Sequence, residues 1–276
     1  MLRPGIALLC LQSIAGCGGF LVDEGIFPLP TIHLVYPVPS QIGIDFKTIQ
    51  IESPSGPMFG WFIPAENARG TVFINHGAVM NRSSYLSHYQ LLHGLGYHVF
   101  TYDYQGFGEN FSVATIETVL GDAERALGAL QLRTEPGTEK IIIFGLSMGT
   151  LPSIAQAATN PDRVVGLMLE GSFLQESLPA SALFFMGITP SPLAYNHIPA
   201  ELDADTNVMQ ITLPKLFLHA RDDEIAPFDS AMELYEIALE PKFFVPLSGL
   251  HVFSILVDHN YGPRIQEFLD AVTADP

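Results

Sequence analysis

Cysteine and positive charge are what this 276-residue chain has least of. Its two cysteines, Cys10 and Cys17, both lie near the start, so the body can hold neither a disulfide framework nor a cysteine metal site. Lysine and arginine together number 12 against 29 acidic residues, and the formal charge is −17. A polyanionic partner needs clustered cations for its phosphates, and here they are scattered, which excludes nucleic acid. The apolar stretch from Ile6 to about Ala15 falls well short of the roughly 20 residues that span a bilayer. Internal repeats and low-complexity linkers are also lacking.

What is present is apolar material in quantity. With 48% hydrophobic and 15% charged residues, the chain can bury one large core and reads as a single domain. Two β-rich runs, 44–51 and 57–63, flank a turn at "ESPSG" and predict a hairpin. "TVFINHGA" (71–78) is a continuous apolar run bounded by glycine, as in a strand buried on both faces. Strand and helix patterns then alternate through "HVFTYDY", "TIETVLGDAERALGALQL", "VVGLMLEGSF", "PKLFLHA", "SAMELYEIAL", "FFVPL" and "RIQEFLDAV". Such alternation implies parallel crossovers, a mostly parallel central sheet and helices on both of its faces: an α/β fold.

The first twenty residues, "MLRPGIALLCLQSIAGCGGF", join one basic residue, Arg3, to a short apolar stretch, which suits a secretory signal. Ile14-Ala15-Gly16-Cys17 resembles the lipobox of bacterial lipoproteins, in which the chain is cut before the cysteine and the new terminus is lipidated. The resemblance implies a signal peptide over 1–16, lipidation at Cys17 and a tether over 17–43, which leaves 44–276 as the folded domain. It further implies an exported protein held to a membrane by its lipid, with Gly18 leaning toward the outer membrane.

"IIIFGLSMGT" (141–150) carries the clearest chemical signal. Gly-x-Ser-x-Gly alone marks many turn serines, but here a strand-like run precedes it and a helix-like run, "LPSIAQAAT", follows. That context predicts a sharp strand-to-helix turn presenting the Ser147 hydroxyl above the sheet, with Gly145 and Gly149 where a Cβ would collide with neighbouring chain. A serine needs a base and an orienting acid further along. His251, in a loop after "FFVPL", is placed where ligands meet open sheets; His259 sits in a polar loop, and His219 inside "LFLHA" reads as a core histidine. For the acid, Asp222, Asp223 and Glu224 follow one another at the end of "PKLFLHA".

From these residues onward, over about 45–270, the chain resembles the α/β-hydrolase superfamily, especially its compact members near the serine aminopeptidase and Bem46-like groups. Aligned on Pro227, the resemblance places the family aspartate on Asp223 and leaves Asp222 as a surface acid. His76-Gly77-Ala78 resembles the family turn after the third strand, which implies the Ala78 and Met148 backbone N–H groups as the oxyanion hole. "YDYQGFGEN" resembles another family segment, with Gln105 where arginine is usual; Ala220 and Ala226 depart likewise. The resemblance implies Ser147–His251–Asp223 acyl transfer to water with no metal or organic cofactor, on a small-molecule acyl ester. A small cap, about 174–212, is expected to line the acyl pocket. A thioester follows closely as substrate. An N-terminal peptide is weaker, because the cap offers no evident acidic pair for a free amine beyond Glu201, Asp203 and Asp205. The other class is a non-catalytic binding lipoprotein on the same fold.

Overall fold

A computed structural model describes residues 35–78, 80–110, 112, 116–174 and 200–274. Eight strands form one sheet: β1 (Lys47–Ile51), β2 (Met58–Ile63), β3 (Thr71–Asn75), β4 (His98–Tyr102), β5 (Ile141–Leu146), β6 (Val164–Glu170), β7 (Lys215–Ala220) and β8 (Lys242–Leu247). Their order is β1-β2-β4-β3-β5-β6-β7-β8. The hairpin β1–β2 joins β4 antiparallel, and from β4 to β8 every pairing is parallel. The central sheet is therefore mostly parallel, as expected.

Helices α1 (Leu86–Gly94), α2 (Ile116–Gln131), α3 (Thr150–Thr159), α4 (Ala204–Val208), α5 (Phe228–Ile237) and α6 (Tyr261–Thr273) cover it. The strands' unbroken apolar runs have a simple cause: successive side chains enter opposite cores. Phe73, Ile141 and Ile143 join the core beneath α2 and α3, with Val119, Leu127 and Ile154. Val72, Ile74, Ile142 and Phe144 point the other way, toward Tyr89 and Leu92 of α1 and Ile265 and Leu269 of α6.

Parallel strands all end on one side, and the loops after β3, β5, β7 and β8 gather there. The tether and lipobox residues up to 34, and 175–199 of the expected cap, lie outside the described residues.

Candidate active site

β5 runs into a short helical turn, Ser147–Gly149, and then α3. Ser147 has φ 54°, a left-handed conformation that costs a residue with a Cβ on the order of 1–3 kcal/mol. The surroundings hold it there. A Cβ on Gly145 would stand 2.6 Å from Ser153 Oγ, and one on Gly149 2.1 Å from the Asn75 carbonyl oxygen. No alanine fits at either place without backbone movement. Beneath the turn, Asn75 Nδ2 donates to Ser153 Oγ (2.7 Å) and Gln156 Oε1 (2.8 Å), and Tyr102 donates to Asn75 Oδ1 (2.7 Å). The end of β3 is thereby fixed to α3.

His251, after β8, meets this serine: Ser147 Oγ lies 2.7 Å from His251 Nε2. The other ring nitrogen, Nδ1, donates to Asp223 Oδ2, also at 2.7 Å. Asp223 Oδ1 in turn accepts the amides of Ile225 and Ala226, each at 2.9 Å. Burial by itself would raise the Asp223 carboxyl; the hydrogen bond and charge of His251, with those two amides, outweigh it and hold the group below the ordinary carboxylate value. The acid stays ionised behind the imidazole. Asp222 is exposed, and so is His259.

His219 is buried, as read, with a further placement the sequence did not reveal. Its Nε2 donates to the Ala226 carbonyl at 2.9 Å and lies 3.6 Å from Asp223 Oδ2, while burial lowers its pKa. A neutral ring thus packs against the acid.

The Ala78 amide makes no hydrogen bond to the described residues, and Ala78 lines the cavity with Ser147. Met148, next to the serine, is the second residue of the helical turn, where the first N–H groups have no carbonyl of their own helix to pair with. Gly77, between these loops, is tightly enclosed: a Cβ would lie 3.0 Å from Ser147 Cβ and 3.2 Å from the Tyr85 hydroxyl.

Tyr85 and Gly171 are functional positions that sequence reasoning missed. The Tyr85 hydroxyl accepts the Gly77 N–H at 3.1 Å, and its ring stacks on Phe253 of the His251 loop with centroids 6.1 Å apart. It therefore ties the turn after β3 to the loop carrying the base. In sequence it stands in "NRSSYLSHY", among serines and with no motif that marks it. Gly171 (φ 66°) follows β6, and a Cβ there would press 2.7 Å from His251 Cε1.

The cavity holding Ser147 and His251 measures about 510 Å³. Its wall includes Ala78, Tyr85 and Phe253, and also Asp222 and Glu224. A larger hollow of about 820 Å³ lies against β8 and α6, among Phe243, Arg264 and Phe268, away from the serine. Asp203 of the expected cap is spent locally, accepting the amides of Asp205 and Thr206 at the start of α4.

Residues 66–200 match the family described as "Serine aminopeptidase, S33". The uncharacterized protein YfhR of Salmonella typhimurium is 30% identical over 255 residues, covering 84% of this chain and 86% of that one. With the sheet order and the strand-end loops, this defines the class: the chain belongs to the α/β-hydrolase superfamily. More narrowly, it is similar to the lysophosphatidylserine lipase ABHD12 of Macaca fascicularis, 30% identical over 172 residues, which cover 56% of this chain and 42% of that protein. The esterase Pf2001 of Pyrococcus furiosus shares the fold with a TM-score of 0.74, at 18% identity over 89% of this chain and 100% of its own.

Proposed function

We propose that the protein is a serine hydrolase that cleaves a carboxylic ester through an acyl-enzyme. The observation that carries the reading is the unbroken hydrogen-bonded series from Ser147 Oγ to His251 to Asp223 at the mouth of a cavity. His251 takes the serine proton as Oγ attacks the carbonyl, and Asp223 keeps the imidazole in the tautomer that exposes Nε2 and stabilises the imidazolium. The Ala78 and Met148 amides are the donors for the oxyanion. His251 then returns the proton to the leaving alcohol and activates a water that releases the acid. These steps use only this chain's own groups and water. A thioester would react by the same steps.

An aminopeptidase-like amide hydrolase is the second reading, favoured by the description of the matching family. A lipase among the relatives favours the ester. Lipid attachment at Cys17, and export with it, rests on Ile14–Cys17 alone.

Labelling by a fluorophosphonate probe tests the chemistry. Wild type is expected to label covalently and Ser147→Ala not at all, with an unchanged circular dichroism spectrum; equal labelling of both would overturn the assignment. A wild type that never labels would favour a binding protein on this fold. Turnover of p-nitrophenyl esters of graded length, beside acyl thioesters and aminoacyl arylamides, separates the substrate classes.

A further inference from the structure

His76 stands one residue before the turn after β3, and no step of the proposed reaction uses it. Its ring is fully buried, with those of Tyr104 and Phe107 against it at centroid distances of 4.5 and 5.1 Å. Its Nδ1 lies 2.7 Å from the Gly77 carbonyl oxygen. A carbonyl only accepts, so Nδ1 carries the proton and donates it. Burial, joined by the charge of Arg82, lowers the pKa of the ring to about 4 against the pull of that hydrogen bond, which leaves it neutral with a single proton.

That assignment leaves the other ring nitrogen bare. Nε2 has no hydrogen-bond partner among the described residues. Asp103 Oδ1 lies 3.8 Å from it, beyond hydrogen-bond distance. Asp103 is held by Arg82 instead, whose backbone N–H donates to Oδ1 at 2.7 Å and whose guanidinium bonds Oδ2. A buried acceptor without a donor is costly, so packing alone does not account for a histidine at this position. An apolar side chain would fill the same aromatic surroundings and orphan nothing.

What the Nδ1 bond does follows from the peptide it holds. In a trans peptide the carbonyl oxygen and the following N–H point in opposite directions. The Gly77 carbonyl is turned to the buried imidazole, which is not part of the cavity wall, so the Ala78 N–H is turned the other way; Gly77, Ala78 and Ser147 all line the cavity. Gly77 lacks the Cβ that restricts other residues, and a half-turn of this one peptide would aim its carbonyl at the oxyanion in place of the N–H. Two hydrogen bonds oppose that rotation. The Tyr85 hydroxyl accepts the Gly77 N–H at 3.1 Å and fixes the preceding peptide, while His76 Nδ1 fixes the one that follows. The Ala78 N–H is left without an acceptor among the described residues, available to an oxygen of the substrate.

We infer that His76 is a positioning residue for the oxyanion hole: its Nδ1–H holds the Gly77 carbonyl away from Ser147 and thereby keeps the Ala78 N–H aimed at the oxygen of the reacting carbonyl. This rests on the serine-hydrolase reading and deepens it. As the bond from Ser147 Oγ to the carbonyl carbon forms, the carbonyl π pair moves onto oxygen, where the Ala78 and Met148 N–H groups stabilise its charge. When the tetrahedral species collapses, the pair returns and the alcohol leaves with the proton from His251. His76 touches no substrate atom and keeps its own proton throughout. Its hydrogen bond also polarises the peptide, so that the bond at the Gly77 carbonyl and the bond from the Ala78 N–H strengthen each other.

Two ketones of one acyl chain separate positioning from packing: a trifluoromethyl ketone, to which a serine adds to give a hemiketal oxyanion, and the methyl ketone, which binds without that adduct. In His76→Gln and His76→Leu, kcat for a p-nitrophenyl ester and affinity for the trifluoromethyl ketone are expected to fall together by on the order of 10², with KM and methyl ketone affinity little changed. His76→Asn sets an amide N–H where Nδ1 stood and should recover most of the loss, although glutamine is nearer to histidine in size. As a measurement that needs no variant, NMR of isotope-labelled histidine in wild type should show His76 as the Nδ1–H tautomer at neutral pH, and the trifluoromethyl ketone should move that proton downfield. An Nε2–H tautomer, a proton indifferent to the trifluoromethyl ketone, or a folded His76→Leu with wild-type kcat overturns the inference alone. So does an equal loss in the asparagine and glutamine variants that extends to the methyl ketone, since His76 would then only fill space. A wild type that neither labels with fluorophosphonate nor turns over any ester, thioester or arylamide overturns the hydrolase reading and the inference together.

Discussion

Ser147 is held at φ 54° by contacts it does not itself make, since Gly145 and Gly149 let α3 and the end of β3 close around it. The strain has a directional result: a hydroxyl that reaches His251 Nε2 at 2.7 Å. Asp223 is the residue on which that geometry depends most, because its two oxygens divide the work. Oδ2 holds the imidazole while Oδ1 is pinned by two backbone amides. Asp223→Asn presents an amide that can donate as well as accept, and the imidazole then settles in the wrong tautomer. A loss in kcat on the order of 10⁴ is expected, with little change in KM, in ester turnover at neutral pH. A loss below tenfold would show that another group orients His251.

At the scale of elements, the site is a consequence of parallel strands whose C-terminal ends share one edge. β3, β5, β7 and β8 each deliver one part, and their register is kept by packing that leaves no slack at the glycines. Gly149→Ala puts a Cβ 2.1 Å from a backbone oxygen of Asn75, which cannot rotate away. A destabilisation of about 3 kcal/mol or more is expected in urea unfolding, with loss of labelling at Ser147. Gly128, within α2, is the contrast: nothing lies within 4 Å of its would-be Cβ. Gly128→Ala should stabilise the fold by up to about 1 kcal/mol in the same assay. Equal effects at the two glycines would contradict the packing described.

The whole molecule carries a formal charge of −17, and buried groups add their own response to acid. His76, fully buried, has its pKa lowered to about 4, first by desolvation and further by the charge of Arg82, against a hydrogen bond to the Gly77 carbonyl that favours the charged form. The unfolded chain therefore binds a proton at this residue below its ordinary value near 6.5, and the native state does so only near pH 4. Stability contributed here is complete above the unfolded value and is lost as pH falls across that window, by about 3 kcal/mol at the lower end. Asp103, 3.8 Å from His76 Nε2, is pushed up to about 6 by burial against the pull of Arg82, and contributes with the opposite sign. Subtracting the unfolding profile of His76→Gln between pH 7 and 4.5 isolates the imidazole; the wild type should show the steeper fall. The proposed attachment to a membrane would also be a property of the whole chain. The body's acidity gives no attraction to anionic lipid headgroups, so the proposed lipid at Cys17 must carry the attachment. Expressed in a bacterium that processes lipoproteins, wild type should fractionate with membranes and gain mass at Cys17, and Cys17→Ser should not. An unmodified Met1 terminus on active protein would overturn that placement without touching the hydrolase chemistry.

The sequence by itself determined the α/β alternation, because strands buried on both faces must be apolar throughout and their helices must show a spaced apolar stripe. It also determined the position of the serine, since only glycine tolerates the close approach on either side of that turn. For the acid the chain alone offered three neighbours, Asp222, Asp223 and Glu224, and one-dimensional spacing cannot say which carboxylate turns inward. The family resemblance chose Asp223 among them; in the tertiary structure it is Asp223 whose Oδ2 meets His251, with Oδ1 on the amides of 225 and 226, while the other two lie on the cavity wall. Tertiary structure alone brought Tyr85 and Gly171 to the site, since their partners Phe253 and His251 stand far along the chain. Their roles arise only where separate strand ends meet, because hydrogen bonds and steric contacts of that kind depend on distance in space and not along the chain.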